Sequence, residues 1–504
     1  MTFVNSPHRL SEYISILNSG GLIESADVGG AEAEKIVKYV SYNSADIEKD
    51  TLFICKGAHF SREYLEQALR EGAFAYVSEK VYEIEGADQP RIIVNDMRKA
   101  MALIADFYYN SVWKNLTIAG VTGTKGKSTT VYFLKYIFDD YLRSKNKPES
   151  AILSSIDNYD GIIDEESHLT TQEALVLHKH FSNAVRSGIE FFSMEVSSQA
   201  LKYDRTSGIL FDVGCFLNIG EDHISAIEHS DFDDYLNSKL LLFDQCKTAC
   251  VGLESDHAYD ILNYARTHSP RIMTFGLTEA ADVYGYNISV NQNGVAFKVK
   301  YDGCDREYLM AMRGRFNVRN ALAAIAICYA LGIPYDNIYN GLSIARVSGR
   351  MEVFGRRDGG PSVIVDYAHN KMSFEALFDS VKGEFPGRKI SIVFGCPGYK
   401  ALGRRRELAE VAGRYSERIF ITEEDAGEEP LTQICEDIAA HVKETGCDYE
   451  IIPDRGEAIK KAIETADDNT VILITGKGRE TRQKRGTEYI DVISDVEYVE
   501  ELLK

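Results

Sequence analysis

The sequence predicts an α/β protein of three domains. Three observations carry that expectation. A glycine-rich loop at residues 120–130 follows a short apolar run and opens a segment of helical spacing. Short apolar runs alternate with helical patterns on both sides of it. The chain has 504 residues, 44% of them apolar, which is too long for one core and too apolar for disorder.

Residues 1–111 form the first block. Strand-like runs at 51–55, 74–78 and 91–95 alternate with helical stretches such as 62–71, which reads as a small α/β domain. The second block, 112–346, begins with the loop Gly-Val-Thr-Gly-Thr-Lys-Gly-Lys-Ser-Thr-Thr after the apolar run 116–119. Gly120, Gly123 and Gly126 let the backbone turn its amides toward an anion. Lys127 can reach the outer phosphates of a nucleoside triphosphate, and the Ser128 or Thr129 hydroxyl can hold magnesium. Val121 stands where the strict pattern has glycine, so the loop is a variant. Thr130, Leu134, Ile137 and Phe138 then recur at helical spacing. Strands are expected over 189–195, 212–217 and 271–275, and the alternation at 283–311 predicts a hairpin excursion. In the third block, 347–504, strands at 363–366, 390–394, 418–422 and 471–475 alternate with helices at 373–381, 406–415 and 431–443. That is the pattern of a doubly wound, Rossmann-like sheet, whose ligands sit at the carboxyl ends of strands.

Several polar residues fall at those strand ends. Glu195 closes its strand, where a carboxylate could ligate magnesium beside the triphosphate or cap the next helix. Asp222-His223 follows another strand near the same cleft. Asp366, in Asp-Tyr-Ala-His369, suits either a ribose hydroxyl or a helix N-cap. Gly476-Lys-Gly-Arg-Glu480 is a glycine-relieved turn carrying charge. Lys239 lies in an apolar helical stretch, where a lysine ordinarily extends to water.

Composition narrows the function. A formal charge of −21 argues against a general nucleic-acid binder. Nine scattered cysteines with no Cys-x-x-Cys read as reduced thiols of a cytoplasmic protein. No apolar run approaches the ~18 residues of a membrane helix, and residues 1–18 lack a signal-peptide core.

Together these motifs resemble the Mur ligase family of ATP-dependent amide-forming enzymes. The likeness is strongest to MurE-type members, which add the third amino acid to UDP-N-acetylmuramoyl-L-alanyl-D-glutamate in peptidoglycan synthesis. The family's motifs follow in order: the loop at 120–129, Thr170-Thr171, Met-Glu-Val-Ser-Ser at 194–198, and Asn218 with Asp222-His223. Then come Tyr235 to Phe243, Phe316-Asn317 with Asn320-Ala321, Gly-Arg-Met-Glu at 349–352, Asp-Tyr-Ala-His at 366–369 and Gly-Lys-Gly-x-Glu at 476–480.

The resemblance implies roles. ATP would be bound by Gly120, Thr122, Gly123, Thr124, Lys125, Gly126, Lys127, Ser128 and Thr129, with Asn320, Arg350 and Asp366. Lys127, Glu195, His223 and Lys239 would be the catalytic set. Ser128, Glu195, His223 and Lys239, the last as a carbamate, would organise magnesium. Thr170, Thr171, Ser197 and Arg205 would contact the UDP-sugar-peptide, and Ser44 the N-terminal UDP site. The free amino acid would meet Glu423, Glu424, Asp425, Gly476 and Glu480. Departures are Asn43-Ser44-Ala45 for Asp-Ser-Arg, Gln172 for proline, Gln199 for histidine, Lys125 for asparagine and Ser238 for alanine. Members using meso-diaminopimelate carry Asp-Asn-Pro-Arg, whose arginine grips the distal carboxylate. The matching stretch, Glu423 to Gly427, has no arginine, and its acids suit the ammonium of L-lysine or ornithine. The expected protein is a cytoplasmic monomeric ligase with no nucleic-acid or membrane partner. Diaminopimelate use, a folate-type sister ligase, a non-catalytic nucleotide-binding scaffold and a simple NTPase switch are its rivals.

Overall fold

The computed structural model describes residues 8–504 apart from 58–59, 85–88, 221–223, 225–227, 292, 356–358 and 401. Three larger sheets organise it. The strand Thr117–Thr122 lies in an eleven-stranded sheet, paired in parallel with Phe191–Glu195 on one side and Phe211–Phe216 on the other. The chain winds first toward Ala151–Leu153 and Phe191–Glu195, then the other way through Phe211–Phe216, Cys246–Gly252 and Arg271–Gly276. The glycine-rich loop therefore leaves the sheet where the winding reverses, the place where such sheets open a crevice.

Gly126, at φ 89°, turns the chain into the helix Lys127–Arg143, which buries Val131, Leu134, Ile137, Phe138 and Leu142 along one face. The helix Tyr335–Ile344 packs against it at Gly341, where a Cβ would stand 2.5 Å from Ile137 Cα. The helix Asn317–Ala330 is buried from Val318 through Cys328 except at Arg319 and packs on the central sheet.

The expected hairpin at 283–311 is three antiparallel strands, Val283–Asn291, Gly294–Tyr301 and Cys304–Met310. The first pairs in parallel with Arg271–Gly276, so these strands extend the central sheet instead of leaving it. Val295, Phe297, Val299 and Tyr308 give the reason: they join the core formed with the buried helix. At the other edge stands a hairpin with no sequence signal, Asp157–Tyr159 with Asp164–Glu166.

The N-terminal sheet holds Thr51–Ile54, Ala73–Ser78 and Arg91–Val94 in parallel, flanked by Tyr39–Ser41 and an antiparallel Ile23–Asp27. The C-terminal sheet runs Glu352–Phe354, Ser362–Asp366, Thr470–Thr475, Lys389–Phe394, Arg418–Ile421, Asp448–Ile451, parallel except at its first strand. Asp366 is in register with Thr475, so the strand ends bearing Asp366 and Gly476 are neighbours. A hairpin, Arg482–Arg485 with Glu488–Asp491, and a last helix, Asp495–Leu502, complete this unit. All nine cysteines are free. Among the described residues no helix is long and apolar enough to cross a membrane.

Candidate active site

A hollow of about 370 Å³ separates the central and C-terminal sheets. The phosphate-binding loop forms one wall with Thr124, Lys125, Gly126, Lys127, Ser128 and Thr129. Thr170, Glu195, Asn218 and Asn320 extend that wall, and Arg350, Asp366, Tyr367 and His369 face it from the C-terminal side. Of the nucleotide residues expected from sequence, only Gly120, Thr122 and Gly123 do not line it. Gly120 and Thr122 sit in the strand below. A Cβ on Gly120 would press on the Phe211 ring at 2.8 Å, so this glycine serves packing.

The loop is clamped from beneath. Asn218 accepts from the Lys125 N–H at 2.9 Å and donates to the Lys125 carbonyl at 3.0 Å. Thr124 Oγ1 accepts from the Gly220 N–H at 3.1 Å and meets the Tyr235 hydroxyl at 3.1 Å. Lys127 folds back over the loop and donates to the carbonyls of Gly123 (2.9 Å) and Thr124 (3.2 Å). Lys239 reaches the same Gly123 carbonyl at 3.0 Å, and its ammonium lies 4.5 Å from the Tyr235 ring centroid. It is 2% exposed, so it does not extend to water. Gly126 is the tightest point, since its Cβ would fall 2.2 Å from Asn320 Oδ1. Gly126→Ala adds that clash to about 1–2 kcal/mol of left-handed strain. Fluorescent-nucleotide titration is expected to show affinity at least roughly tenfold weaker.

Glu195 is 1% exposed. Its Oε1 accepts from the Ser155 N–H at 2.7 Å and from the Ser155 hydroxyl at 3.2 Å, and that hydroxyl lies 3.1 Å from Ser128 Oγ. A row of oxygens thus runs from the first turn of the loop helix to the neighbouring strand end. Glu195 caps no helix; Ser197 does, accepting from the Ala200 N–H at 3.1 Å. Hard oxygen donors beside a phosphate loop suit magnesium, which binds through one or two carboxylates plus substrate phosphates. Among the described residues no three His, Cys, Asp or Glu side chains form a self-sufficient metal site. Asp222 and His223 lie outside the described residues. Ser155, which links Ser128 to Glu195, carried no sequence signal.

Across the hollow, Asp366 accepts from the N–H groups of Met351 and Ala368, both at 2.8 Å. Burial pushes its carboxyl above the usual range, against the nearby Arg350 guanidinium. The helix Lys371–Glu384 is capped by Asn370, which removes the capping role for Asp366. The Arg350 guanidinium stacks over the Tyr367 ring at 4.1 Å. Tyr367 donates to Glu480; burial, then that carboxylate, lifts its phenol far above the normal value.

A second cluster joins the central and N-terminal units. Thr171 Oγ1 donates to the Glu195 carbonyl and accepts from the Ser197 N–H, both at 3.0 Å. Arg205 donates to the Thr171 carbonyl at 3.0 Å and pairs with Glu173 at 2.7 Å. Lys56 of the N-terminal unit meets the same Glu173 at 2.5 Å, a cation that sequence reading missed because nothing local marks it. Ser44 is not part of the hollow; it donates to Gln67 at 3.0 Å within the N-terminal sheet unit.

The acidic stretch is largely enclosed, and an arginine from elsewhere in the chain reaches it. Glu423 and Glu424 are buried. Arg485 grips Glu423 with two bonds, at 2.8 and 2.7 Å. Asp425 accepts from Lys477 at 3.1 Å and from the Lys484 N–H at 2.8 Å. Glu424 lies under Gly476, and burial pushes its carboxyl up to about 7, with Asp425 adding and Arg455 opposing. The sequence segment lacks arginine, but the hairpin Arg482–Asp491 folds one onto it. Lys477 and Arg479 join Glu480 in a small side chamber that reaches Arg350 and Tyr367.

Loop, hollow and facing strand end together define an enzyme of the phosphate-loop α/β class. The chain belongs to the Mur ligase family. Residues 121–328 match the Mur ligase middle domain and residues 349–478 the Mur ligase glutamate ligase domain. A UDP-N-acetylmuramyl-tripeptide synthetase of Lactobacillus delbrueckii subsp. bulgaricus is 35% identical over 98% of this chain and 99% of its own length. The UDP-N-acetylmuramoyl-L-alanyl-D-glutamate–L-lysine ligase of Enterococcus faecalis is 36% identical over 90% of this chain and 88% of its own. The fold is shared with a solved UDP-N-acetylmuramoyl-L-alanyl-D-glutamate–2,6-diaminopimelate ligase: TM-score 0.66, 23% identity, 98% of this chain and 99% of that one. It is also shared with MurF from Acinetobacter baumannii, with TM-score 0.67 and 18% identity, covering 99% and 100% of the two chains.

Proposed function

We propose that this protein adds L-lysine to UDP-N-acetylmuramoyl-L-alanyl-D-glutamate at the expense of ATP. The observation that carries the reading is one hollow shared by Lys127, Glu195 and the Asp366 strand end. ATP lies with its phosphates on the loop and its nucleoside toward Asn320, Arg350 and Asp366. The D-glutamate γ-carboxylate oxygen attacks the γ-phosphorus, ADP leaves, and an acyl phosphate forms. The lysine α-amine then attacks the acyl carbon, phosphate leaves and the amine loses its proton. Lys127 and the loop N–H groups offset charge on the transferred phosphoryl group. Ser128 and Glu195, with His223 and Lys239 as its carbamate, would hold magnesium, which when bound neutralises phosphate charge.

The three blocks bounded near 111 and 346 act as domains that exclude water from the acyl phosphate. Arg479–Asp157 at 3.2 Å and Thr481–Glu166 at 2.6 Å support such seating of the C-terminal unit on the central one. Thr170, Thr171, Ser197 and Arg205 line the approach of the sugar-peptide, and Ser44 belongs to its uridine end. The amino acid approaches from the Glu423–Asp425 loop, Gly476 and Glu480. Arg485, its side chain 52% exposed at Glu423, keeps meso-diaminopimelate as the second reading, since a guanidinium there suits a distal carboxylate.

Phosphate release scored over an amino-acid panel tests all of this. Release is expected only with ATP, the UDP-dipeptide and L-lysine together. Release indifferent to both acceptor substrates contradicts the ligase reading, and preference for diaminopimelate selects the second one.

A further inference from the structure

The loop carries two lysines, and the transfer chemistry uses Lys127. Lys125 points across the hollow. Its Nζ lies 2.9 Å from Nε2 of His369 in the C-terminal unit. His369 Nδ1 lies 2.8 Å from the Tyr367 carbonyl. A carbonyl only accepts, so Nδ1 carries the proton and Nε2 offers its lone pair to the ammonium. Both ends are held. Asn218 clamps both backbone groups of Lys125, and the His369 N–H donates to Ser373 Oγ at 3.2 Å. Arg479–Asp157 and Thr481–Glu166 join the two units beside the side chamber, whereas Lys125 and His369 both line the hollow itself.

We propose that Lys125 is a positioning residue that ties the phosphate-binding loop to His369 and sets how the C-terminal unit seats over the bound triphosphate. This rests on reading the hollow as the triphosphate site. The chemistry of the partner matters. A carboxylate in the place of His369 would cancel the charge that phosphates need beside the loop. A neutral imidazole accepts the hydrogen bond without itself cancelling the ammonium's charge. Lys125 can therefore hold two units together and still attract the nucleotide. An asparagine at this position is too short to span the gap and brings no charge.

The test is a double-mutant cycle of Lys125→Met and His369→Phe, with His369→Gln as the conservative variant. Two readouts are taken: kcat and KM for each substrate, and the ligand-free distance between fluorophores on the central and C-terminal units. Each single variant is expected to lower kcat about tenfold, the size of one charge-assisted hydrogen bond. Each is also expected to widen the distance distribution, with the double variant no worse than the worse single one. Glutamine, whose amide oxygen accepts, restores most of both. Additive losses in kcat, or an unchanged distance in both single variants, overturn the strut. Calorimetry of the unmutated protein with magnesium-ATP separates the two ideas. Absence of binding there refutes the triphosphate site, while the ligand-free distances still decide the strut.

Discussion

Lys127→Met is expected to cut kcat for phosphate release by about 10²–10³-fold, the usual cost of removing one preorganised donor to a charge-developing oxygen. Methionine keeps the length of the side chain and loses only the ammonium. Lys127 opens the helix Lys127–Arg143, where the loop N–H groups and the helix dipole already favour an anion. Its bonds to the Gly123 and Thr124 carbonyls hold the ammonium over the loop before any phosphate arrives. A phosphate oxygen carries more negative charge than a carbonyl, so the ammonium transfers to it with little rearrangement. Because the charge on the phosphoryl oxygens shifts during transfer, the loss falls on kcat more than on the KM for lysine. Thermal unfolding should be almost unchanged, since the lysine is only half-buried and its helix is anchored by Leu134, Ile137 and Phe138. A kcat retained within about threefold would remove Lys127 from the transfer step.

The second large effect concerns Lys239. Two lysines converge on the Gly123 carbonyl, Lys127 from the helix Lys127–Arg143 and Lys239 from the helix Phe232–Leu240. Carbamylation would require the Lys239 ammonium to lose one proton; its amine nitrogen would then bond to the carbon of CO₂ and lose a second. The side chain would change from a positive neighbour of Lys127 to a negative one, adding carboxylate oxygens to the row of Ser128, Ser155 and Glu195. Lys239→Met is expected to lower activity by about 10–100-fold, the range found when groups that orient a metal site are lost. A carbonyl resonance appearing with ¹³C-bicarbonate in the unmutated protein, and missing in Lys239→Met, identifies the carbamate. If activity is indifferent to bicarbonate and no resonance appears, Lys239 acts as the ammonium that now supports Gly123. Lys239→Met should cost stability as well, because the side chain is enclosed and hydrogen-bonded.

Much of the site was legible in the order of residues. The turn at Gly123 and Gly126, the lysine at the helix start, and the acids Glu195 and Asp366 at strand ends are all local features. Each is set by neighbours within a few positions. The sheet windings were legible for the same reason, apart from elements with weak patterns. Burial alternates along the first strand of the hairpin Asp157–Glu166, but its buried positions Asn158 and Asp160 are polar and Asp164–Glu166 is wholly exposed, so no apolar alternation announces it. The strands of 283–310 were visible, but their union with the central sheet depends on burial against the helix Asn317–Ala330.

Charge was the least legible property. By sequence, Glu423, Glu424 and Asp425 are acids suited to an ammonium. In the fold, Arg485 and Lys477 arrive from beyond residue 475, and burial pushes the one carboxylate without a bond to either, Glu424, well above the usual carboxylate range. Sequence by itself determined the family, the parallel windings and the place of the phosphate loop, because helical and strand periodicities and turn chemistry are encoded between near neighbours. Only the tertiary structure decided which group each charge meets: Lys125 with His369, Lys56 with Glu173, Arg485 with Glu423, Lys239 with the Gly123 carbonyl. Such pairings depend on distance through space and on exclusion of water, and neither is written in the spacing along the chain.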